Sequence, residues 1–358
     1  MQHRKKTHTV RNVFLTIILL LVVGGAAYGM QRYRSVKESI NSSFKASGIQ
    51  KERNVTQQLK DKKPVSVLLL GTDTGEFNRT DRGRTDSMMV VTLNPKTNKT
   101  TITSIPRDTA VSIPGYTSEA PSKINAAYAW GKTKTSIKTV QQMLNIPIDF
   151  YALVNLKGLI KVVDKVGGVD VTPTLSFSNL GYTFTKGVKT HMNGKKALAY
   201  VDMRYKDPQG DYGRQTRQRN VLMAIVRKTG SVSALLNQDF INSLAEQTQT
   251  DLTFDDLTAI AKDYRKATGN IKQTHLQGHG KELSGQDMEV MKKPELQRVT
   301  NFIRNGLDLP HKTTGSIALF SSTSSKKSSS STSTTSDATT AGTTTATTDA
   351  TGTTDYGY

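Results

Sequence analysis

Short apolar segments alternate with helical patterns through the middle of the chain. Runs of apolar and β-branched residues that end at Gly, Pro or Asn-Pro predict buried strands at 65–70, 88–93, 100–105 and 169–172. Apolar residues at helical spacing predict helices around 137–144, 156–163, 257–264 and 296–303. This alternation predicts an α/β fold in which helices cover both faces of a central sheet.

The N-terminal part of the chain has the pattern of a membrane anchor. Residues 12–30 are uncharged and mainly apolar, and as a helix they are long enough to cross roughly 30 Å of hydrocarbon. Basic residues at positions 4, 5, 6 and 11 precede them without an acidic residue, which predicts a cytoplasmic N-terminus at 1–11. The sequence therefore predicts a single-pass type II protein of the cell membrane, with most of the chain extracellular. Small residues at 24–27 leave a cleaved signal peptide as the alternative.

Composition divides the remainder into three parts. Residues 31–63 are polar and rich in Lys, which predicts a juxtamembrane stalk. The periodic patterns predict one extracytoplasmic domain with a C-terminal extension at 64–312. Residues 313–358 are dominated by Ser, Thr, Ala and Gly, too polar to bury a core, and predict a disordered tail.

Charge and residue usage narrow the possible partners. The 358 residues carry 49 basic and 29 acidic side chains, a net charge of +20, which favours a polyanion as partner. Export across a membrane argues against nucleic acid. The absence of cysteine excludes disulfides, thiolate zinc sites and a cysteine nucleophile. Phosphate-loop, serine-hydrolase and zinc-protease motifs are absent, and glycines beside His275 and His279 predict a surface loop there instead of a metal-binding helix.

Charged residues stand where the predicted strands end or begin. Asp73 follows the first strand, Arg84 and Asp86 lead into the second, and Arg107 follows the third. Open α/β sheets place their ligands at such positions. Asp73 and Asp86 could jointly hold a divalent cation such as Mg²⁺, although two carboxylates without a fixed spacing also pair structurally with arginines.

A basic segment opens a predicted helix that runs from position 211 to 227. Arg214, Arg217 and Gln218 project from one face of its first turns. Free backbone N–H groups and guanidinium forks both favour a phosphate ligand. Ion pairs with Asp207 and Asp211 are the alternative, and this segment alone does not decide between them.

Six blocks of the sequence resemble the LytR-CpsA-Psr family, in order and over residues 65–229. They are LLLGTD, RGRTDSMMVVTLNP, SIPRDTAVSIPG, KINAAYAWG, VDKVGGVDV and NGKKALAYVDMRYKDPQGDYGRQTRQR. The resemblance implies an α/β/α sandwich around a central, mostly parallel or mixed sheet, with an apolar tunnel for a polyprenyl chain. It also implies transfer of a teichoic acid, capsular or related wall polymer from undecaprenyl pyrophosphate to Gram-positive peptidoglycan.

The resemblance also implies roles for individual residues. By position, the pyrophosphate-binding residues are Arg84, Arg107, Arg204, Arg214, Arg217 and Gln218. The Mg²⁺ ligands are Asp73 and Asp86, and the catalytic residues are Asp73, Asp86 and Arg107. Asp202 departs from the family pattern, because many members have Arg at that position.

Together with the resemblance, these residues predict a Mg²⁺-dependent phosphotransferase. In the predicted reaction, a peptidoglycan hydroxyl attacks the polymer-proximal phosphorus, and undecaprenyl phosphate leaves. One alternative is a phosphatase, in which water is the acceptor. Another is a non-catalytic regulatory or scaffold protein of the envelope, although the sequence has no helix-turn-helix for direct control of DNA.

Overall fold

A central sheet of six strands organises the folded part of the protein. The computed structural model describes residues 37–39, 41–72, 83–203, 207–228, 245–264, 266–267 and 270–319. The sheet strands are β1 (Val65–Thr72), β2 (Thr85–Asn94), β3 (Lys99–Ser104), β6 (Phe150–Asn155), β11 (Thr248–Thr250) and β12 (Asn270–His275). Their order across the sheet is β11-β6-β1-β2-β3-β12.

Shorter strands form two-stranded pairs beside this sheet. The pairs are β4 (Ala110–Val111) with β5 (Ser122–Lys123), β7 (Val169–Val171) with β10 (Thr190–Met192), β8 (Phe177–Asn179) with β9 (Tyr182–Phe184), and β13 (Gly278–Leu283) with β14 (Gln286–Met291). His275 therefore ends β12 and His279 lies in β13, so the predicted surface loop at this position is wrong. The backbone there is extended and ladder-bonded, with Gly278 facing Met291 across the hairpin.

The described helices include those predicted, although the one around 137–144 begins earlier, at Ala126, and others were not predicted. The helices are α1 (Val55–Lys60), α2 (Ala126–Leu144), α3 (Leu156–Lys165), α4 (Gly194–Asp202), α5 (Asp211–Lys228), α6 (Phe254–Asp263) and α7 (Lys293–Gly306), with a short 3₁₀ turn at Thr117–Glu119. Local signals fix several starts: the Asn193 side chain accepts a hydrogen bond from Lys196 N at α4, and Thr253 and Asp256 form a capping box at α6.

Strand directions create one edge of the sheet where several chain segments meet. β1 is parallel to β6 and β3 is parallel to β12, whereas β1–β2, β2–β3 and β6–β11 are antiparallel. The sheet is therefore mixed. The carboxyl ends of β1, β3, β6 and β12 lie at one edge, and β2 begins at the same edge.

Helices cover both faces of the sheet, as the alternation of strand and helix patterns along the sequence predicts. Along β2, Met89 and Val91 face a core shared with α3 to α6, while Met88 and Val90 face a core shared with α2 and α7. The predicted α/β arrangement with two covered faces is thus present.

The folded region extends beyond the limits drawn from composition. Part of the predicted stalk packs on the domain: Phe44 bridges to Thr250, and Arg53 forms an ion pair with the buried Asp149. At the other end, residues 313–319 of the predicted tail dock on the domain, where Ala318 bridges to Val111 and is buried. These segments are held by side-chain and backbone pairing that composition does not reveal.

The predicted membrane helix at 12–30 and positions 320–358 of the predicted tail lie outside the described residues. Within the described ranges, every helix is too short or too polar to cross a bilayer.

Candidate active site at the carboxyl edge of the sheet

Arg107 is the centre of a charged cluster at this edge. It follows the end of β3, and its Nη1 lies 2.5 Å from Asp86 Oδ1 near the start of β2. Its Nε lies 3.4 Å from Asp108 Oδ2 and 3.6 Å from Asp211 Oδ1. Burial lowers the pKa of Arg107, but the Asp86 hydrogen bond and the neighbouring carboxylates outweigh burial and raise it overall. The guanidinium is therefore firmly charged and still partly open to solvent, with 23% of the side chain exposed.

Arg214 closes the cluster from the first turn of α5. Its Nε lies 2.9 Å from Asp211 Oδ1, and its Nη2 donates to the Asp86 backbone oxygen at 3.1 Å. Its Nη1 lies 3.8 Å from Asp86 Oδ1. Only 3% of Arg214 is exposed, so packing holds this guanidinium in a fixed position beside Arg107.

Arg217 lies deeper on the same helix, where protein groups engage both terminal nitrogens of its guanidinium and its buried Nε has no hydrogen-bond partner. It forms an ion pair with Asp207, donates to the Met203 backbone oxygen at 2.6 Å, and lies over the Phe177 ring. Gly213 allows this arrangement, because a Cβ at that position would overlap the Asp207 carboxylate. Arg217 is 1% exposed, and its position supports the local structure around the cluster.

The structure contains both the shared face and the ion pairs considered for the basic helix, while phosphate binding there stays a prediction. Arg214, Arg217 and Gln218 lie on one buried face, as the spacing predicts. The ion pairs with Asp207 and Asp211, raised as the alternative, are also formed. Gln218 is 8% exposed and its Oε1 accepts no hydrogen bond, so it retains an unused acceptor.

Arg84 is the remaining predicted site residue that the structure describes, and no contact between it and the cluster is seen. Arg84 is exposed at the entrance to β2, where its backbone oxygen accepts from Thr72 Oγ1 at 3.4 Å. Asp202, the departure from the family pattern, is exposed at the end of α4. Asp73 and Arg204 lie outside the described residues.

Three members of the cluster, Asp108, Lys123 and Asp211, were not predicted as site residues, although Asp211 was considered as an ion-pair partner. Asp108 is adjacent to Arg107 in sequence, and its Oδ1 lies 3.0 Å from Lys123 Nζ. The position of Asp108 next to Arg107 could have indicated its role from the sequence. No sequence signal near Lys123 indicates the site, because the β4–β5 pairing is what brings Lys123 to this edge.

The cluster contains equal numbers of positive and negative side chains. Three carboxylates, those of Asp86, Asp108 and Asp211, surround Arg107, with Arg214 and Lys123 as further cations. Within the part of the chain that the structure describes, no group of three His, Cys, Asp or Glu side chains has the arrangement of a metal site. Of the two carboxylates predicted to hold the cation, Asp86 is the one that the structure describes, and it would need further ligands.

Comparisons with known proteins give one consistent result. The sequence model of the LytR_cpsA_psr family matches residues 28–305. An Enterococcus faecalis protein named polyisoprenyl-teichoic acid–peptidoglycan teichoic acid transferase TagU is 40% identical over 297 residues, which cover 83% of this chain and 96% of that protein.

Solved structures agree with this match. A Streptococcus agalactiae protein has a TM-score of 0.65 at 33% identity, covering 76% of this chain and 96% of the other. A structure described as TagT bound to LIIa-WTA has a TM-score of 0.59 at 28% identity, covering 74% and 98%.

Proposed function

Because this chain belongs to the LytR-CpsA-Psr family, we propose that it is a transferase that moves a teichoic acid or related polymer from a polyisoprenyl carrier to peptidoglycan. The strongest support is the arrangement of Arg107 and Arg214 around Asp86, at the sheet edge where α/β proteins place ligands. The relatives' names specify the same donor and acceptor. Capsular and other wall polymers share the pyrophosphate link and remain within the proposed substrate class.

The proposed reaction is a phosphoryl transfer. A peptidoglycan hydroxyl oxygen bonds to the polymer-proximal phosphorus as that phosphorus separates from the bridging oxygen of the pyrophosphate. Undecaprenyl phosphate leaves with the bridging oxygen, the hydroxyl proton is released, and a phosphodiester joins polymer to wall. Such a reaction needs positioning and charge stabilisation more than covalent help from the protein.

Arg107 and Arg214 are suited to hold the diphosphate. Arg107 is partly exposed and can turn its N–H groups from carboxylates towards phosphate oxygens. Arg214 is fixed by burial and supplies a pre-organised positive charge. Gln218, on the same face, would contribute through its amide N–H groups, because its unused oxygen is an acceptor and cannot bind phosphate oxygens.

We further propose that Mg²⁺ joins this site, held by Asp86 together with Asp73. The described residues fit such an ion in their charge: three carboxylates already offset Arg107, Arg214 and Lys123, so a diphosphate needs added positive charge. Arg84 and Arg204 would supply part of it. The ion, when bound, would neutralise phosphate oxygens as charge develops.

The isoprenoid chain is proposed to lie along α5, next to the apolar residues that follow Arg214 and Arg217 on the same face of the helix. Beyond Arg217 on α5, Val221, Ala224 and Ile225 are buried in a core shared with Met203. A lipid chain entering between α5 and the sheet would place its diphosphate at the arginines. Anchoring by residues 12–30 in the cell membrane would bring the domain to this membrane-borne donor.

A transfer assay tests the proposed function. Detergent-solubilised full-length protein is mixed with a polyprenyl-pyrophosphate-linked teichoic acid precursor and peptidoglycan fragments, with Mg²⁺ present. Phosphodiester-linked product is expected only when peptidoglycan is present. Equal release of polyprenyl phosphate without peptidoglycan would instead identify a phosphatase. No consumption of donor, while a family relative is active in parallel, would contradict both enzymatic proposals.

A further inference from the structure

A polar cavity of about 430 Å³ lies beside the arginine cluster, on the other side of the start of α5. Its walls include Tyr212, Gln215, Thr216 and Arg219 from α5, together with His275 and Gln277 from the end of β12 and the turn after it. None of these six residues belongs to the predicted pyrophosphate site.

Arg219 brings a positive charge to this cavity without a carboxylate partner. Its Nη1 lies 2.5 Å from Ser104 Oγ, and its Nη2 lies 3.0 Å from Thr216 Oγ1. Among the described residues, no Asp or Glu lies within ion-pairing distance of it. Burial alone lowers the pKa of Arg219, whereas carboxylates raise that of Arg107. A desolvated guanidinium held only by hydroxyl groups favours an anionic ligand.

Gln215 supplies a second, independent sign of a ligand. It is 3% exposed, and its Oε1 has no hydrogen-bond partner. Its Nε2 donates to Asp211 Oδ2 at 2.7 Å, which fixes the amide and leaves the oxygen available. A buried acceptor without a donor is costly unless a ligand hydroxyl completes it.

The shared Asp211 links this cavity to the proposed reaction centre. Asp211 Oδ2 accepts from Gln215 in the cavity wall, while Oδ1 pairs with Arg214 in the cluster. Ser104 and Arg107 likewise stand only three positions apart at the end of β3. A substrate with its pyrophosphate at Arg107 would therefore have its next units within reach of the cavity.

On the far side, the cavity is held in shape by the β13–β14 hairpin. Tyr212 OH accepts from Gly278 N at 2.9 Å and lies 3.3 Å from Glu289 Oε2. The Tyr212 ring packs against His275 at a centroid distance of 5.3 Å. The two rings add apolar surface to the cavity wall, which suits the C–H groups of a sugar or polyol.

We propose that this cavity is a subsite for a phosphorylated polyol or sugar unit of the donor polymer. Arg219 binds the phosphate oxygens, and Gln215 Oε1 accepts from a hydroxyl. The assignment rests on the proposed transfer reaction, because it places the polymer next to its pyrophosphate. Because Arg219 favours an anionic ligand, the cavity suits the phosphate-bearing donor better than the glycan acceptor.

Binding of short probes separates this subsite from the transfer reaction itself. Full-length protein in detergent is titrated calorimetrically with a glycerol phosphate trimer and, separately, with a disaccharide-peptide fragment of peptidoglycan. The trimer is expected to bind the wild type, and Arg219→Gln is expected to weaken it about tenfold or more. Lys281→Gln, which removes an exposed cation from the nearby hairpin, is the matched control and should bind normally.

A second variant guards against misfolding of Arg219→Gln. His275 is exposed at the cavity rim, so His275→Ala should fold normally and still weaken the trimer. Undetectable trimer binding to the wild type, or equal binding by all variants, would overturn the subsite. Loss of peptidoglycan-fragment binding in place of trimer binding would also overturn it, by assigning the cavity to the acceptor.

The two proposals fail in different ways. Polyprenyl-pyrophosphate donors are compared with and without attached glycerol phosphate units. If the subsite is correct, Arg219→Gln raises KM only for the donor that carries these units. An equal loss with both donors would contradict the subsite while transfer stands. Inactivity of the wild type with both donors would contradict the proposed function. Binding of the glycerol phosphate trimer would then still test the subsite independently.

Discussion

Arg107 Nη1 lies 2.5 Å from Asp86 Oδ1, and this contact joins the end of β3 to the start of β2 at the carboxyl edge of the sheet. The two strands are antiparallel neighbours, so the pair forms at the point where one strand ends and the other begins. Arg214 reaches the same aspartate from α5. Two arginines from separate segments, the end of β3 and the start of α5, thus meet at one aspartate of β2.

Loss of Arg107 should reduce transfer strongly. Arg107→Ala is expected to lower kcat/KM by roughly 10²–10³-fold, because a pre-organised charge on the transferring phosphate is removed. Arg107→Lys should recover only part of the activity, since an ammonium group cannot form the bidentate contact. The rate of product formation is the measurement. Lys96→Ala, in the exposed β2–β3 turn at the opposite edge, should be fully active.

Removal of divalent cations should stop transfer. EDTA is expected to abolish product formation by the wild type, and added Mg²⁺ should restore it. Asp86→Asn should need a higher Mg²⁺ concentration for half-maximal activity, because one negative ligand is lost. Full activity of the wild type in EDTA would refute the proposed cation. Asp61→Asn, which alters an exposed aspartate beyond α1, is the control.

Arg217 should matter for folding more than its sequence position suggests. Arg217→Met leaves the buried Asp207 without its cation, which costs about 3–5 kcal/mol when a buried pair is broken. Urea denaturation measures this loss. Asp207→Asn combined with Arg217→Met should recover part of it, because no uncompensated charge is left. Asp170→Asn, which removes an exposed pair with His191, should change stability little. A normal urea midpoint for Arg217→Met would show that the pair does not support the fold.

The sequence predicts the elements of this fold better than their partners. Predicted strands at 65–70, 88–93 and 100–105 correspond to β1, β2 and β3, since short runs of apolar and β-branched residues indicate burial directly. The predicted strand at 169–172 is present as β7, but it pairs with β10 outside the main sheet. β12 pairs with β3 across a long separation in sequence, and its largely polar residues gave no strand signal. Pairing depends on the whole chain, and local pattern does not encode it.

The site shows the same division. Spacing along one helix predicted that Arg214, Arg217 and Gln218 share a face, and they do. The sequence raised an ion pair with Asp207 as an alternative, but spacing could not decide whether it forms, because that pair depends on the turn before α5 and on Gly213. Arg219, one position beyond the predicted group, faces the separate cavity. The assigned roles of the individual residues in binding remain predictions.

Glu289 should make stability depend on pH. Burial raises its pKa, with Asp108 and Asp211 adding to the effect against the Tyr212 hydrogen bond. A carboxyl group whose pKa is raised in the folded state stabilises the fold fully at pH values below its ordinary pKa of about 4.3. This stabilisation is lost as the pH rises through the pKa of the folded state. Glu289→Gln should therefore gain stability over the wild type at pH 7 and not at pH 4. Melting temperatures measured across this range provide the check.

A neighbouring substitution controls for net charge. Glu282→Gln removes one exposed carboxylate from the same hairpin. If both variants change melting temperature equally at each pH, the effect comes from total charge and the burial of Glu289 is irrelevant. A gain for Glu289→Gln that is larger at pH 4 than at pH 7 would have the wrong sign.

Direct binding of a diphosphate to the cluster of Asp86, Arg107 and Arg214 is the central claim. The decisive measurement is the dissociation constant of geranylgeranyl pyrophosphate for full-length protein, compared with geranylgeranyl monophosphate. Arg107→Ala and Arg214→Ala, each confirmed as folded by thermal denaturation, should weaken the pyrophosphate by about tenfold or more and affect the monophosphate less. Unchanged pyrophosphate affinity in both folded variants would contradict the claim.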